Sequence, residues 1–422
     1  MTIATIPGGN GKYTAANSIK VLEGLEAVRK RPDMFIGAND KQGLHHLIWE
    51  IVDNAVDEYL NGFADAITVT LHRDGDAVTV TDNGRGIPVD IHPEYRKPGL
   101  ELILTTLHSG AKFGDGDDYI HSGGLHGVGS SVVNALSSSL IATVRRDGFE
   151  WQQEYARGKP LAPLRQVGPA RGHGTTIYFK PDGDIFRDTR FDADLIRQRL
   201  EDMSYIHSGL KLVFRNEVRG ETLELKQAGG LASFVARLVA EGQKEAIHEP
   251  IFSLARGNGE KMEVALQWTA STDETIRSYV NGIRTSGGGT HENGLKRAVT
   301  TAVRNFMDTH KERVKSRDLN ITAEDVREGL VAVLSVFVRD PRFQGQTKER
   351  LNNQEMTSAV DTFVRPALES WLNANMTVAD QIVGRILMAA RAREASRKAV
   401  DEVKRKSPTN RRLTLPGKLA DC

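Results

Sequence analysis

The chain holds 422 residues, 39% of them hydrophobic and 26% charged, which fits an ordinary globular protein and is long enough to predict two domains. A net charge of +1 excludes a global attraction to nucleic acid or membrane, so any basic surface is local. No secretory leader pattern and no run of about 18 apolar residues occurs, and a lone cysteine, Cys422, excludes an internal disulfide framework and fits a reducing cytoplasm.

Residues 1–18 are rich in Gly, Thr, Asn and Ala without periodicity and read as a flexible arm, with Tyr13 its one large anchor. From Ser18, a plausible cap, a short amphipathic helix runs until Pro32 stops it. Residues 45–60, HHLIWEIVDNAVDEYL, follow a helical period: at about 100° per residue, His46, Glu50, Asn54 and Asp57 share a narrow arc opposite Leu47, Ile48, Ile51, Val52 and Val56. A solvated helix face normally mixes Lys, Arg and Glu. An imidazole, a carboxylate, a carboxamide and a second carboxylate are instead the groups that orient a base, activate a water and hold a hard cation. By itself, the stretch fits an ordinary amphipathic helix equally well.

Residues 66–71 and 77–81 alternate as strands about an Asp-Gly hairpin turn. The second runs into Asp82-Asn83-Gly84-Arg85-Gly86-Ile87-Pro88, a tight turn whose backbone approaches something closely. Asp82 stands where a strand becomes a loop, a usual place for a residue that reads a ligand; a plain strand-ending loop is the bland alternative. Residues 99–108 predict another amphipathic helix.

The next stretch carries Gly110, Gly114, Gly116, Gly123, Gly124, Gly127 and Gly129 before helical spacing resumes at Val132. A glycine-rich loop feeding a helix suits a phosphate, although flexible loops also accumulate glycine. Lys112 and Tyr119 precede the last glycines, and the loop is long enough to act as a lid. It matches neither a P-loop nor a dinucleotide fingerprint. Residues 140–148, 151–158 and 175–182 read as further strands of an antiparallel sheet, carrying Arg146, Thr175 and Thr176.

Composition changes at Gly229-Gly230, where a helix opens the second domain. Strands follow at 261–269 and 331–338, with a glycine-rich turn leading into a helix through about residue 310. Residues 340–351 form a polar loop with Gln344, Gln346 and Lys348; by itself it reads as surface with its lysine in water. Residues 378–406 predict one long helix bearing Arg385, Arg391, Arg393, Arg397, Lys398, Lys404, Arg405 and Lys406, a solvated face or a surface for phosphates.

EIVDNAVDE, DNGRGIP, SGGLHGVGSSVVNALS, GTTIYF and QTKERL, in that order across nearly the whole chain, resemble the bacterial DNA gyrase B family, with the topoisomerase IV B proteins as near relatives, within the GHKL ATPases. The resemblance implies an α+β fold: a GHKL α/β sandwich (a mixed, mostly antiparallel sheet with helices on one face), then a smaller α/β transducer and a long C-terminal helix. The implied bounds are a dimerisation arm at 1–18, the ATPase domain at 19–228, the transducer at 229–395, and a basic helix end with linker at 396–422.

The resemblance also implies the ATP-operated gate of a type II topoisomerase, with ATP and Mg²⁺ as ligands. Matched by position, Glu50 is the general base, His46 its orienting partner, and Asn54 the Mg²⁺ ligand, with Asp57 beside them. Asp82 accepts from the adenine amino group. Gly86, Ile87 and Pro88 line the base pocket, and Thr175 supports it. Lys112, Tyr119 and the run Gly123, Gly124, Leu125, His126, Gly127, Val128 and Gly129 form the lid. Gln346 and Lys348 reach the γ-phosphate, and Tyr13 crosses to the nucleotide site of the other copy in a dimer. Arg85 and Arg146 match the rim where the family's coumarin inhibitors bind. Implied partners are a second copy of the chain, the gyrase A protein and double-stranded DNA, in the cytoplasm.

Asp33 and Phe35 depart from the family's Gly and Tyr, and Tyr13 aligns only with a one-residue shift. The family continues into a metal-binding domain with an acidic EGDS motif that this sequence does not contain. The chain is therefore expected to be an amino-terminal fragment that hydrolyses ATP and dimerises but does not cleave or supercoil DNA by itself. Topoisomerase IV, another GHKL machine and a degenerate dimerisation clamp are the competing readings; the QTK loop opposes the second, and intact Glu50 and His46 oppose the third.

Overall fold

The computed structural model describes residues 22, 24–110, 127–257, 261–314, 319–345 and 347–406. Its opening helical segment is split. A short helix α1 (Leu25–Lys30) is followed by a single turn α2 (Asp33–Ile36), whose N-cap is Pro32 at φ −62°. A proline lacks the N–H that a first turn would leave unpaired anyway, so Pro32 starts a turn as well as preventing α1 from continuing.

Helix α3 spans Lys41–Leu60 and begins earlier than the hydrophobic pattern predicts, because the Asp40 carboxylate accepts the N–H groups of Gln42 (2.9 Å) and Gly43 (3.2 Å). Its back buries Leu44, Leu47, Ile48, Ile51, Val52, Ala55 and Val56, the larger of these contributing about 1.5–3 kcal/mol each. His45 serves this packing. Its Nε2 accepts the Asp192 N–H (2.8 Å), so Nδ1 carries the proton donated to the Lys41 carbonyl (2.7 Å). Burial lowers its pKa and keeps the ring neutral.

After α3 come β1 (Ala66–Leu71), β2 (Val78–Asp82), α4 (Gly99–Thr105) and α5 (Gly129–Ala135), then β3 (Ser137–Arg146), β4 (Phe149–Ala156), β5 (Lys159–Pro160), β6 (Arg165–Pro169) and β7 (Gly174–Pro181). Helix α6 (Ala193–Ile206), β8 (Lys211–Asn216) and β9 (Glu221–Leu225) complete the first unit's main run. The nine strands form one sheet in the order β5-β4-β3-β7-β2-β1-β8-β9, with β6 also on β4. Every pairing is antiparallel except β1 with β8. Alternate residues, among them Val78 and Val80, Leu140, Ala142 and Val144, and Ile177 and Phe179, enter the core against α3, α4 and α5.

The first compact unit runs through Ala228 and takes in residues 281–283 and 345–347; the second holds Gly229–Val280, Arg284–Gln344 and the chain from Lys348 on. The second contains α7 (Gly230–Glu241), β10 (Phe252–Arg256), β11 (Met262–Trp268), β12 (Thr275–Val280), β13 (Ile283–Arg284, whose first residue belongs to the first unit), α8 (Thr290–Thr309), α9 (Lys311–Val314), α10 (Ala323–Arg327), β14 (Leu330–Val336), α11 (Glu355–Ala374) and α12 (Met376–Lys406). Its sheet runs β10-β11-β14-β12-β13. The central strand β14, LVAVLSV, is buried at every position, as a strand covered on both faces must be.

Helix α12 corrects the reading of a uniformly solvated basic face. Arg385 is 7% exposed and donates to Glu328 (2.7 Å) and the Ser271 carbonyl (2.8 Å), and Arg393 grips Asp325 through Nε (2.8 Å) and Nη2 (2.9 Å). These two arginines anchor the helix to its own unit. No helix among the described residues is long and apolar enough to cross a membrane.

Candidate functional site

The polar arc of α3 closes on the first turn of α5. Glu50, 8% exposed, lies with Oε1 3.0 Å from His46 Nε2 one turn earlier. Among the described residues that nitrogen makes no hydrogen bond of good geometry, so the pair is a close approach of ring and carboxylate. The other oxygen faces α5: a β-carbon on Gly129 would stand 2.1 Å from Glu50 Oε2. Only glycine admits that approach. Asn54 Nδ2 ties the two helices by donating to the Glu50 carbonyl (2.8 Å) and to Ser130 Oγ (3.1 Å). Asp57, further along the arc, is buried.

The second constellation surrounds Asp82 at the end of β2. Its Oδ1 accepts the Gly84 N–H (2.8 Å) and the Thr175 N–H (3.3 Å), while burial raises its pKa from 3.8 to about 6, against the lowering effect of those two bonds. The carboxylate is therefore mostly ionised at neutral pH yet poorly hydrated, a state that an incoming N–H donor stabilises. Thr175 Oγ1 accepts the Ile87 N–H (3.3 Å), joining the DNGRGIP turn to β7, and Gly86 takes φ 78° against the Arg145 carbonyl. Pro88 ends this turn.

Arg85 is held by Glu58, which accepts from its Nη2 (2.9 Å), its Nε (3.2 Å) and its backbone N–H (2.9 Å). Its guanidinium also lies 3.6 Å from the Phe63 ring centroid. Arg146 donates to the Gly86 carbonyl (2.8 Å), and His173 Nδ1 donates to the Gly84 carbonyl. Sequence reasoning missed Glu58, Ser130 and His173. Glu58 lies one turn beyond Asn54 on α3, so extending the arc by four residues would have reached it.

The sequence-predicted residues thus gather into two groups on the first unit: His46, Glu50, Asn54 and Gly129 with Val128, the α5 N-cap, and Asp82, Arg85, Gly86, Ile87, Pro88 and Thr175. Lys348 lies on the second unit and is 4% exposed, which overturns its reading as a lysine in water. Gly127 is described at the loop's end, with φ 57°. Tyr13, Lys112, Tyr119, Gly123, Gly124, Leu125, His126 and Gln346 lie outside the described residues. Among the described residues no three His, Cys, Asp or Glu side chains gather as a metal cage. Asn54 spends its Nδ2 on protein oxygens, so Oδ1 is its atom with the ligand chemistry a hard cation takes.

The family described as histidine kinase-, DNA gyrase B-, and HSP90-like ATPase matches residues 39–185, and that described as DNA gyrase B matches residues 230–402. The chain is 46% identical to the DNA gyrase B protein of Thermotoga maritima over 97% of its own length and 65% of the relative's. It is 44% identical to that of Clostridium acetobutylicum over 96% and 63%. It therefore spans slightly less than two thirds of these relatives. Among solved structures, the 43K ATPase domain of Thermus thermophilus gyrase B, in complex with an aminocoumarin, superposes with a TM-score of 0.73 at 41% identity, covering 89% of this chain and 97% of that one. The topoisomerase IV ATP-binding domain of Francisella tularensis, in complex with a small-molecule inhibitor, gives 0.72 at 36%, covering 88% and 98%.

Proposed function

The chain belongs to the DNA gyrase B family of GHKL ATPases, and from that premise we propose that it binds and hydrolyses ATP, dimerising as it does so, as the gate of a type II DNA topoisomerase that introduces negative supercoils. The observation that carries this reading is the buried Glu50 carboxylate, set between the His46 imidazole and the first turn of α5. In this reading Glu50 orients a water and takes its proton, and His46 keeps the carboxylate in register. Asp82 accepts from the adenine amino group, with Thr175, Gly86, Ile87 and Pro88 around the base and Arg85 and Arg146 at the rim.

Asn54 Oδ1 would hold Mg²⁺, which when bound neutralises phosphate charge. Lys112, Tyr119 and residues 123–129 cover the phosphates, and Lys348 with Gln346 serves the terminal phosphate, the lysine adding charge where it develops. Tyr13 belongs to an arm exchanged between two copies. The further partners are the gyrase A protein, double-stranded DNA and coumarin-type inhibitors, in the cytoplasm. The test is Glu50→Ala, which should retain nucleotide binding by calorimetry and lose hydrolysis; undiminished turnover overturns the assignment.

A further inference from the structure

The triple glycine Gly287-Gly288-Gly289, which opens α8 and has no part in the proposed ATP site, is folded against the segment that follows Lys348. Gly287 N–H donates to the Glu349 carbonyl (2.9 Å), Leu351 N–H to Gly288 (3.1 Å) and Thr290 N–H to Leu351 (3.1 Å). Gly289 sits at φ 134°, and a β-carbon there would lie 2.4 Å from the Leu351 carbonyl oxygen, so no other residue fits the approach. Gln344 N–H to the Arg350 carbonyl (2.8 Å) and Asn352 N–H to Arg342 (2.7 Å) close the same segment into a hairpin. The backbone next to Lys348 is therefore placed by this glycine turn.

The turn is in turn placed by a buried polar chain. Thr285 accepts the Gly288 N–H on its carbonyl (3.0 Å), and its Oγ1 lies 2.9 Å from His291 Nε2. The same hydroxyl lies 2.9 Å from the Ser278 carbonyl and 2.7 Å from Ser278 Oγ, so with its single proton on the carbonyl it accepts from His291 Nε2–H. Ser278 Oγ also reaches Glu292 (3.1 Å), itself paired with Lys296 (2.8 Å). His291 is fully buried, its Nδ1 makes no hydrogen bond among the described residues, and burial lowers its pKa to about 4, so the ring stays neutral. A polar nitrogen left unpaired in the core costs stability that an apolar side chain of similar size would not. Packing alone does not account for a histidine there.

We propose that His291 is a positioning residue, which through Thr285 fixes the Gly287–Gly289 turn and with it the place Lys348 takes on the second unit. This rests on the reading that Lys348 serves the terminal phosphate. The test compares His291→Phe, His291→Gln, Thr285→Val and Lys348→Ala in the whole chain, measuring kcat and KM for ATP together with ADP binding. His291→Phe and Thr285→Val, which both remove the link, are expected to lower kcat about tenfold with KM and ADP binding within about twofold. His291→Gln keeps a donor near the Nε2 position and should recover at least half of the lost turnover.

A folded Thr285→Val or His291→Phe chain with wild-type kcat, beside an inactive Lys348→Ala, overturns this inference alone. The same holds if His291→Gln is as slow as His291→Phe. Full activity of Lys348→Ala overturns the reading beneath it and this inference together.

Discussion

Gly129 and Glu50 are in contact so close that the smallest side chain cannot be added between them: a β-carbon at position 129 would lie 2.1 Å from Glu50 Oε2 and 3.1 Å from its Cδ. Gly129→Ala must therefore displace the carboxylate or the first turn of α5. A misplacement of about 1 Å costs an active site roughly 100-fold. The expected outcome is a fall in kcat of that order with ADP still bound, read from steady-state hydrolysis and calorimetry. A Gly129→Ala chain as fast as the parent would show that the position of Glu50 does not limit turnover.

Asp82 makes stability depend on pH in a direction opposite to that of a salt-bridged carboxylate. Its native pKa of about 6 exceeds the ordinary 3.8 because burial opposes the charged form. The native state thus binds more protons between those values, so the contribution is full below about pH 4 and is lost as pH rises through 6, a span of about 3 kcal/mol. Asp82→Asn, which still accepts the Gly84 and Thr175 N–H groups, should stabilise the ligand-free chain at pH 8 by about 1–3 kcal/mol and give no gain at pH 4. Urea unfolding at the two pH values decides it, and an equal effect at both would refute the assignment.

The same group governs ligand affinity. If the ionised Asp82 accepts the adenine amino group, binding must compete with protonation once pH falls below about 6. Affinity for ADP should then drop towards tenfold per pH unit, while Asp82→Asn binds weakly at every pH. A flat calorimetric profile from pH 7 to about 5 would exclude a carboxylate acceptor.

Glu58 holds the backbone N–H, Nε and Nη2 of Arg85 and so fixes that residue in the DNGRGIP turn. Glu58→Gln retains size but loses the charge-assisted character of these bonds, each worth about 1.5–3 kcal/mol in favourable cases. We expect the KM for ATP to rise roughly 3–10-fold with kcat within twofold, because the turn shapes binding and not the chemical step. A change confined to kcat would place Glu58 elsewhere in the reaction.

Helix α3, the β1–β2 hairpin and the Asp82 turn were legible in the sequence because period and turn chemistry agree there: polar and apolar residues separate at 3.6 and at 2, and Asp-Gly sits between the strands. Strand β12, TIRSYV, is only half buried at its start and carries no alternation, so nothing local marks it; its neighbour β14 defines it. Helix α11 contains Pro366, which reads as a stop although the helix continues past it. The site followed the same division. Residues sharing one helix arc were readable, whereas Glu58 gripping Arg85, Ser130 meeting Asn54 and Arg393 seizing Asp325 depend on long-range folding that spacing does not encode.

The parallel pairing of β1 with β8 in the first sheet bears on how the chain is made. Ala66 in β1 pairs with Lys211 in β8, and every strand from β2 to β7 intervenes in the chain. Until β8 is synthesised, β1 has β2 on one side and an open row of N–H and C=O groups on the other, the arrangement that recruits foreign strands. The hairpin can close early, but the sheet must await a contact of very large sequence separation, which makes folding slow and the nascent chain sticky. Truncations ending before β8 are accordingly expected to collect as aggregates, and the first unit is best expressed as a whole.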